Sequence, residues 1–456
     1  MNFTIGRDER RGRHALATKN FTAGTIILTE TSHAHMSTSS NLSLRCLNCL
    51  ATTTPSGSSL SCCAQCKTAA YCSRACQTKD WQSHHKLECK HMKAGSEFNR
   101  FVDEVYHPSS APQLVVDLFL TLRLLTVYKG IIPAEVSAME AVEFYLGDNE
   151  CEFASVDTLI HLLIPQKLKT KFFNDDNEAA KLFLQSILRR FAPNNFGILN
   201  ELQTLVASGF YPNAAILNHS CSPNTILTYE SNVLKIRLIK DVKEGEELTH
   251  SYIDLCQNTE ERQQILSSEY SFTCDCHRCT GSEFKEIDRI MYSGGMFMEK
   301  DEIDTPLNNY QRVEIRQGVG EDSDEALACE HQEQLNRLEC YENCGLVSLD
   351  KRIYMQHCRL NSSALMLGRY SEAETHCRRM IDFLENTLYH VPYHPLVTLQ
   401  RFTLADLCNE NGKYEESKEI FKEVIAKLTI THGKDNPLQK NAEETLKRVP
   451  VQNQTE

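Results

Sequence analysis

Apolar residues recur at helical spacing between residues 98 and 190. The clearest segments are VVDLFLTLRLLTVY and NEAAKLFLQSILRRF, whose period near 3.6 predicts amphipathic helices. The most apolar stretch begins at Leu114, but Asp117 and Arg123 interrupt it. This favours a helix in a protein core over a membrane span. We therefore expect five or more helices in this part of the chain.

The beginning of the chain has a different pattern. The segment RRGRHALATKNFTAGTIILTE predicts two short strands around a turn at Ala23-Gly24. The start of the chain, MNFTIGRDERRGRHALATK, has charges where a secretory signal would need an apolar run. We expect the cysteines to stay reduced, because disulfides are rare outside oxidising compartments.

A repeat occupies the last part of the chain. GRYSEA from Gly368 recurs 44 residues later as GKYEES from Gly412, and HP at 394 returns as NP at 436. A helix pair of this period resembles tetratricopeptide-like packing. Two units are too few for a free-standing solenoid, so we expect them to dock on the rest of the protein and to wall one side of a substrate groove.

Composition and charge add broad limits. At 456 residues, 41% of them hydrophobic and 8% aromatic, the chain predicts two or three ordinary globular domains. The net charge is -13, yet residues 41–92 carry six Lys and Arg against Asp80 and Glu88. The acidic remainder suits basic partners such as lysine-rich protein tails. The basic segment suits an acidic or proline-rich peptide, and less well a nucleic acid.

Soft ligands in that basic segment predict two zinc ions. The four pairs are Cys46-x2-Cys49, Cys63-x2-Cys66, Cys72-x3-Cys76 and His85-x3-Cys89. Eight ligands suffice for two closed tetrahedral sites, and each structural ion supplies about 10–16 kcal/mol toward folding. Cys62 and His84 lie beside proposed ligands, and either could replace its neighbour.

A third zinc site is predicted by Cys274-x-Cys276-x2-Cys279. Structural zinc is almost always four-coordinate, and Cys221 in AAILNHSCSPNTIL is the best upstream candidate for the fourth ligand. The spacing alone leaves that choice open.

These segments resemble two known families. CAQCKTAAYCSRACQTKDWQSHHKLEC resembles a MYND zinc finger, in which ligand pairs one and three hold one ion and pairs two and four hold the other. The resemblance thus implies one site from Cys46, Cys49, Cys72 and Cys76, and another from Cys63, Cys66, His85 and Cys89.

NHSCSPN at 218–224, GEELT at 245–249, Tyr252 and the three later cysteines resemble the core of SET-domain protein methyltransferases. A SET domain and a MYND finger in one chain are typical of the SMYD family, and the chain is identified as a divergent member, such as one of the arthropod-specific branch. The fold implied is α+β: a β-rich SET domain with an inserted finger and helical insert, a zinc-bound post-SET segment and an all-α, tetratricopeptide-like C-terminal domain.

The implied domains are the N-terminal part of the SET domain at 1–45, the MYND finger at 46–89, the helical SET insert at 93–192, the core SET domain at 193–256, the post-SET zinc segment at 257–283 and the helical C-terminal domain at 284–456.

The resemblance implies a protein-lysine N-methyltransferase that uses S-adenosylmethionine on histone or other proteins. Such an enzyme must deprotonate a lysine whose reference pKa is about 10.4, which burial in a narrow apolar channel can depress. We expect a monomer with a peptide partner at the finger, cytoplasmic and nuclear localisation, and a part in chromatin regulation.

The resemblance also assigns roles to single residues. Tyr252 corresponds to the tyrosine of the methyl-transfer pore, and Tyr270 would line the lysine channel. The cofactor contacts implied are Arg11, Gly12 and Arg13 at the methionine end, Asn218 and His219 in the central motif, Phe272 near the adenine, and Asn194 or Asn195 on the adenosine side.

One position departs from the family pattern. Its G-x-G turn reads Gly12-Arg13-His14 here. If the third position required a positive φ, His14 would cost about 1 kcal/mol or more and would crowd the cofactor pocket. The alternative function is therefore a catalytically weak or inactive adaptor, such as a transcriptional corepressor.

Overall fold

The computed structural model describes residues 2–96, 100, 111–137, 139, 164, 166–291 and 323–450. Parts of the predicted helical insert and of the C-terminal domain lie outside these ranges. Within them, no helix is both long enough and apolar enough to span a membrane.

Twelve strands in the described ranges form small sheets. They are β1 Phe3–Asp8, β2 Gly12–Ala17, β3 Ile26–Thr31, β4 Ala34–Ser37, β5 Ser61–Cys62, β6 Ala70–Tyr71, β7 Asn195–Leu199, β8 Leu205–Phe210, β9 Asn218–His219, β10 Thr225–Glu230, β11 Val233–Leu238 and β12 Glu247–His250. The sheet orders are β1-β2-β12-β9, β10-β11-β3, β4-β8-β7 and β5-β6. The two strands predicted near the N-terminus are present as β2 and β3.

Nine α-helices lie among the described residues up to 291. They are α1 Arg74–Asp80, α2 Lys86–Met92, α3 Ala111–Tyr128, α4 Ala134–Ser137, α5 Gln166–Phe173, α6 Asn177–Asn194, α7 Thr259–Tyr270, α8 His277–Thr280 and α9 Lys285–Ile290. A π-helical turn, Trp81–His85, joins α1 to α2. The helices predicted from VVDLFLTLRLLTVY and NEAAKLFLQSILRRF are α3 and α6.

The finger and the helical insert share one core. Cys46, Cys66, Leu120 and Leu188 belong to the same cluster of buried residues. Within it, the Arg123 guanidinium donates to both carboxylate oxygens of Glu88 at 2.7 and 2.8 Å. Arg123 also lies 3.5 Å from Asp80. These buried charges link α3 to the finger.

The parallel pairing of β9 with β12 positions the central motif. Asn218 lies opposite Thr249, and His219 opposite His250. On its other edge β12 pairs with β2. The motif, β12 and the N-terminal strands therefore meet in one sheet, although their residues are far apart in the chain.

The last part of the chain is helical in the ranges described. Its helices are α10 Ser323–Asn343, α11 Lys351–Met366, α12 Tyr370–Leu388, α13 Pro395–Glu410, α14 Tyr414–Thr431 and α15 Pro437–Arg448. The repeat noted in the sequence corresponds to two equivalent turns. Gly368 and Gly412 have φ of 68° and 75°, and each ends one helix just before the next begins.

The C-terminal helices dock on the region that contains the central motif. Tyr354 of α11 and Phe383 of α12 belong to one buried cluster with Cys221 and Leu255. His390 Nε2 also lies 2.9 Å from the carbonyl oxygen of Cys221. The segment between α12 and α13 is thus held against the region that follows the central motif.

Candidate active site and metal centres

Two clusters in the finger have the geometry of closed metal sites. The ligand atoms of Cys46, Cys49, Cys72 and Cys76 lie within 4.8 Å of one another, as do those of Cys63, Cys66, His85 and Cys89. The loop after β5, the turn after β6 and the helices α1 and α2 bring them together. These groups agree with the two ligand sets that the finger resemblance implies.

The distances fit zinc better than disulfides. In the first cluster the sulfurs of Cys49 and Cys72 are 3.5 Å apart and those of Cys49 and Cys76 3.8 Å. In the second, the sulfurs of Cys63 and Cys89 are 3.8 Å apart. A disulfide needs about 2.05 Å. Tetrahedral zinc with bonds of about 2.3 Å separates sulfurs by about 3.8 Å.

The two open ligand choices can be compared in the structure. Cys63 is buried in the second cluster, whereas Cys62 is exposed. His85 turns Nε2 toward Cys66 Sγ at 3.6 Å. Nδ1 of His84 instead lies 3.1 Å from the Thr126 hydroxyl. The geometry supports Cys63 and His85 as the ligands.

The third cluster contains the predicted Cys221 with Cys274, Cys276 and Cys279. Cys221 and Cys279 sulfurs are 3.6 Å apart. The fully buried Arg262 of α7 donates to the sulfur of Cys221 at 3.3 Å. Four thiolates around one divalent ion leave a net negative charge, and this guanidinium offsets part of it.

His219 connects the third cluster to the predicted pore tyrosine. Its Nδ1 accepts a hydrogen bond from the backbone N–H of Tyr252 at 3.0 Å. The proton must therefore be on Nε2, which lies 3.1 Å from Cys221 Sγ. The imidazole is held at both nitrogens, so the cysteine cluster fixes the backbone at Tyr252 through His219.

Asn218 ties the central motif to the N-terminal turn. Its side-chain amide donates to the carbonyl oxygen of Arg11 at 3.0 Å and to the Glu247 carboxylate at 3.0 Å. Arg11 also forms an ion pair with Glu247 at 3.1 Å. Gly12 adopts a φ of 62°, a conformation that glycine takes with little strain. Arg11, Gly12 and Arg13 thus border the same sheet as Asn218.

Aromatic rings converge on Tyr252. Tyr270 lies at a centroid distance of 5.0 Å, His219 at 5.3 Å and Phe272 at 6.5 Å. The Tyr252 hydroxyl donates to the carbonyl oxygen of Leu217 at 2.9 Å. Burial raises the pKa of Tyr270 to about 12, so its hydroxyl stays protonated at physiological pH. The residues predicted for the pore, lysine channel and adenine are brought together.

A cavity of about 330 Å³ opens beside this aromatic group. Tyr252, Tyr270 and Asn195 are among the residues that line it. Val391 and His394, from the segment between α12 and α13, line the side nearest the C-terminal helices. As expected for a docked helical domain, the C-terminal part of the chain thus walls one side of the cavity.

The two candidate asparagines face different surroundings. Asn194 is buried, and its side-chain amide donates to the carbonyl oxygen of Arg190 in α6 at 2.8 Å. Asn195 lines the cavity, and its buried Oδ1 has no hydrogen-bond partner among the described residues. Asn195 is therefore the better placed of the two to contact a ligand.

The strain considered for His14 is absent. Its backbone lies outside the left-handed region. His14 is buried in β2 and lies opposite Gly6 of β1. A Cβ on Gly6 would overlap the His14 imidazole. Gly6 thus makes the room that the larger side chain needs. A substitution at the family's second glycine is accommodated by a glycine on the neighbouring strand.

Several supporting residues were not predicted from the sequence. Asn224 clamps β12, since its amide donates to the Glu247 carbonyl oxygen at 2.8 Å and accepts from the Thr249 N–H at 2.9 Å. Its place at the end of NHSCSPN was the only signal. Arg262 and His250 had none, because Cys221 and Phe196, which contact them, come from other elements.

Comparison with known proteins is consistent with this geometry. A family model described as "SET domain" matches residues 12–253. N-lysine methyltransferase SMYD2-A of Danio rerio is 28% identical over 439 residues, covering 94% of this chain and 93% of that protein. N-lysine methyltransferase SMYD2 of Homo sapiens is 28% identical over 444 residues, covering 94% of each. A solved structure of Rubisco LSMT bound to AdoMet is matched at 13% identity and a TM-score of 0.27, covering 98% of this chain and 89% of that one, and that likeness carries no weight here.

Proposed function

Since the chain belongs to the SET-domain family, whose model covers more than half of it, we propose that it is an S-adenosylmethionine-dependent protein-lysine N-methyltransferase. The predicted SET domain and α+β fold class are confirmed by this match, and SMYD2 relatives that are 28% identical over 94% of the chain support the predicted SMYD family. The observation that carries the proposal is the aromatic group around Tyr252, set beside a cavity and fixed to the central motif through His219.

The residues present fit the cofactor that such a reaction needs. Gly12 brings backbone close to Asn218 without a side chain in the way, and the buried Oδ1 of Asn195 is unpaired among the described residues. We infer that these residues, with Arg11, Arg13, His219 and Phe272, hold S-adenosylmethionine. When bound, it supplies an electrophilic methyl group to the substrate nitrogen.

The chain itself prepares the nucleophile. The cavity is lined by apolar and aromatic side chains such as Phe196, Ile253 and Leu255, so an entering lysine is desolvated and its pKa falls. The Tyr252 hydroxyl already donates to Leu217, which leaves its oxygen lone pairs to accept from the substrate nitrogen. Tyr252 thus orients the amine for in-line attack without forming a covalent bond.

The adaptor alternative loses its main support, because His14 is accommodated over Gly6. We propose further that the finger takes an acidic or proline-rich peptide partner. Five basic residues of the segment 41–92 are exposed, namely Lys67, Arg74, Lys79, Lys86 and Lys90. Asp80 and Glu88 are buried against Arg123 instead. A monomer that works in both cytoplasm and nucleus stays part of this proposal.

Radiolabelled methyl transfer tests the main proposal. Wild-type protein is incubated with labelled S-adenosylmethionine and with mixed histones and cell lysate as acceptors. Label in protein that hydrolyses to methyllysine supports the enzyme. No label with any acceptor, together with no heat of binding when the protein is titrated with S-adenosylmethionine, would contradict it.

A further inference from the structure

The cavity beside Tyr252 is lined by a histidine that the proposed mechanism does not use. His250 is the last residue of β12, is only 5% exposed and lines the cavity. Its ring is stacked on Phe196 at a centroid distance of 5.7 Å and tilted against Tyr252 at 4.9 Å. Two aromatic neighbours therefore hold the imidazole in place.

The hydrogen bonds of His250 fix its tautomer. Nδ1 lies 3.0 Å from the carbonyl oxygen of Ser251. Since a carbonyl oxygen only accepts, Nδ1 carries the proton and Nε2 presents a lone pair. Nε2 has almost no accessible surface, and no residue in the described ranges bonds to it, so a donor in the cavity reaches it when a neighbouring side chain turns aside. A buried acceptor without a donor is costly, so a ligand that donates to it would bind with an advantage.

We propose that Nε2 of His250 accepts a hydrogen bond from the nitrogen of the target lysine and so makes His250 a specificity-determining residue. This inference rests on the proposed function and deepens it. A lysine nitrogen is the donor that fits, because the cavity is otherwise lined mainly by apolar and aromatic side chains and Tyr252 stands beside the imidazole.

His250 does not act as the base in this scheme. Burial lowers its pKa to about 4, whereas the reference pKa of lysine is about 10.4. Moving the lysine proton to this imidazole would be strongly uphill. His250 therefore orients the lysine nitrogen. A side chain that ends in an N–H donor should bind more tightly than one that lacks it.

A binding experiment tests the acceptor without any turnover. Protein with ¹⁵N-labelled histidine rings is titrated with n-butylammonium, which mimics a lysine side chain. In parallel it is titrated with butyltrimethylammonium, which has the same charge but no N–H. The Nε2 resonance that is present in the wild-type spectrum and missing from that of His250→Leu is assigned to His250. We expect n-butylammonium to shift it, with saturation, and butyltrimethylammonium to leave it unmoved. No shift with either, or an equal shift with both, overturns the proposal.

His35 provides a matched control. It is buried, and its Nε2 also lacks a partner among the described residues, but it lies on β4 and does not line the cavity. Its resonance should not respond to n-butylammonium. A response there as large as at His250 would show nonspecific binding and would also count against the proposal.

Kinetics separate this inference from the proposed function. With a lysine-centred peptide library, His250→Leu should lower kcat/KM about tenfold, mostly through KM. His250→Gln, which keeps an acceptor, should recover part of the loss. Unchanged kinetics in His250→Leu would overturn the inference and leave the methyltransferase standing. If the wild-type protein transfers no methyl group but n-butylammonium still shifts the Nε2 resonance, the proposed methyltransferase function is wrong and the acceptor role of His250 stands.

Discussion

At the scale of single residues, Tyr252 offers the sharpest test of the chemistry. Tyr252→Phe removes the oxygen that faces the substrate while keeping the ring among Tyr270, His219 and Phe272. We expect methyl transfer to fall by about 100-fold or more. The loss of the bond to Leu217 should cost only about 1 kcal/mol of unfolding free energy. Radiolabel incorporation and urea denaturation measure the two effects.

Tyr211→Phe is the matched control. The Tyr211 hydroxyl also donates to a backbone carbonyl oxygen, that of Asn232 at 3.0 Å, but it does not line the cavity. Tyr211→Phe should lose about as much unfolding free energy as Tyr252→Phe but keep its methyl-transfer activity. If both variants kept full activity, Tyr252 would be a structural tyrosine and not part of the reaction.

The contact between Gly6 and His14 gives a second prediction at this scale. Gly6→Ala places a methyl group on the imidazole, and we expect the free energy of unfolding to fall by about 1–3 kcal/mol. His14→Gly in the same chain should remove most of that penalty. Additive losses in a double-mutant cycle measured by urea denaturation would mean that the two side chains do not conflict.

The site residues differ in how far the sequence could predict them. Tyr252, Asn218 and His219 lie in short patterns whose spacing carries the information. His250 has no such signal. Its environment is made by Phe196, which reaches it from another sheet. The role of Gly6 in accommodating His14 likewise depends on the register of β1 with β2.

At the scale of elements, the buried charges between α2 and α3 hold the finger to the helical insert. Arg123→Met would leave Glu88 and Asp80 buried without their cation. We expect a loss of about 3–5 kcal/mol in the free energy of unfolding. Denaturant titration of the variant measures it.

Arg289→Met serves as the comparison for that variant. Its ion pair with Glu286 lies at the surface, where the Arg289 side chain is 76% exposed. Pairs of this kind contribute about 0–1 kcal/mol. Equal losses in the two variants would show that the Arg123 network adds nothing beyond an ordinary surface pair.

Elements also differ in predictability. The finger ligands could be found because zinc pairs are local in sequence, and α3 and α6 because their apolar period is long. The pairing of β9 with β12 could not be found, since β9 is only two residues long. Nothing in so short a strand specifies a partner or a direction.

At the scale of the whole molecule, the third cysteine cluster is coupled to the active site. Cys276→Ser should lower the zinc content from about three equivalents per chain to about two. It should also weaken S-adenosylmethionine binding, because Cys221 holds His219 and His219 holds the backbone of Tyr252. Elemental analysis and calorimetric titration measure the two quantities.

Cys49→Ser controls for metal loss as such. It removes a ligand from a finger cluster that packs in a different buried core from Cys221, so zinc should fall while cofactor affinity stays near that of wild type. Equal weakening in both variants would point to general unfolding. A wild-type content near two equivalents would contradict the third site.

The pairing of β2 with β12 has a consequence for biosynthesis. Ala15 and Leu16 leave the ribosome early but meet Leu248 and Glu247 in the finished sheet. At about 5–20 residues per second, this edge of β2 waits on the order of 10–50 s for its partner to be made. A nascent chain stalled before residue 247 would carry an unpaired strand edge and a complete zinc finger, and would need shielding from aggregation by chaperones.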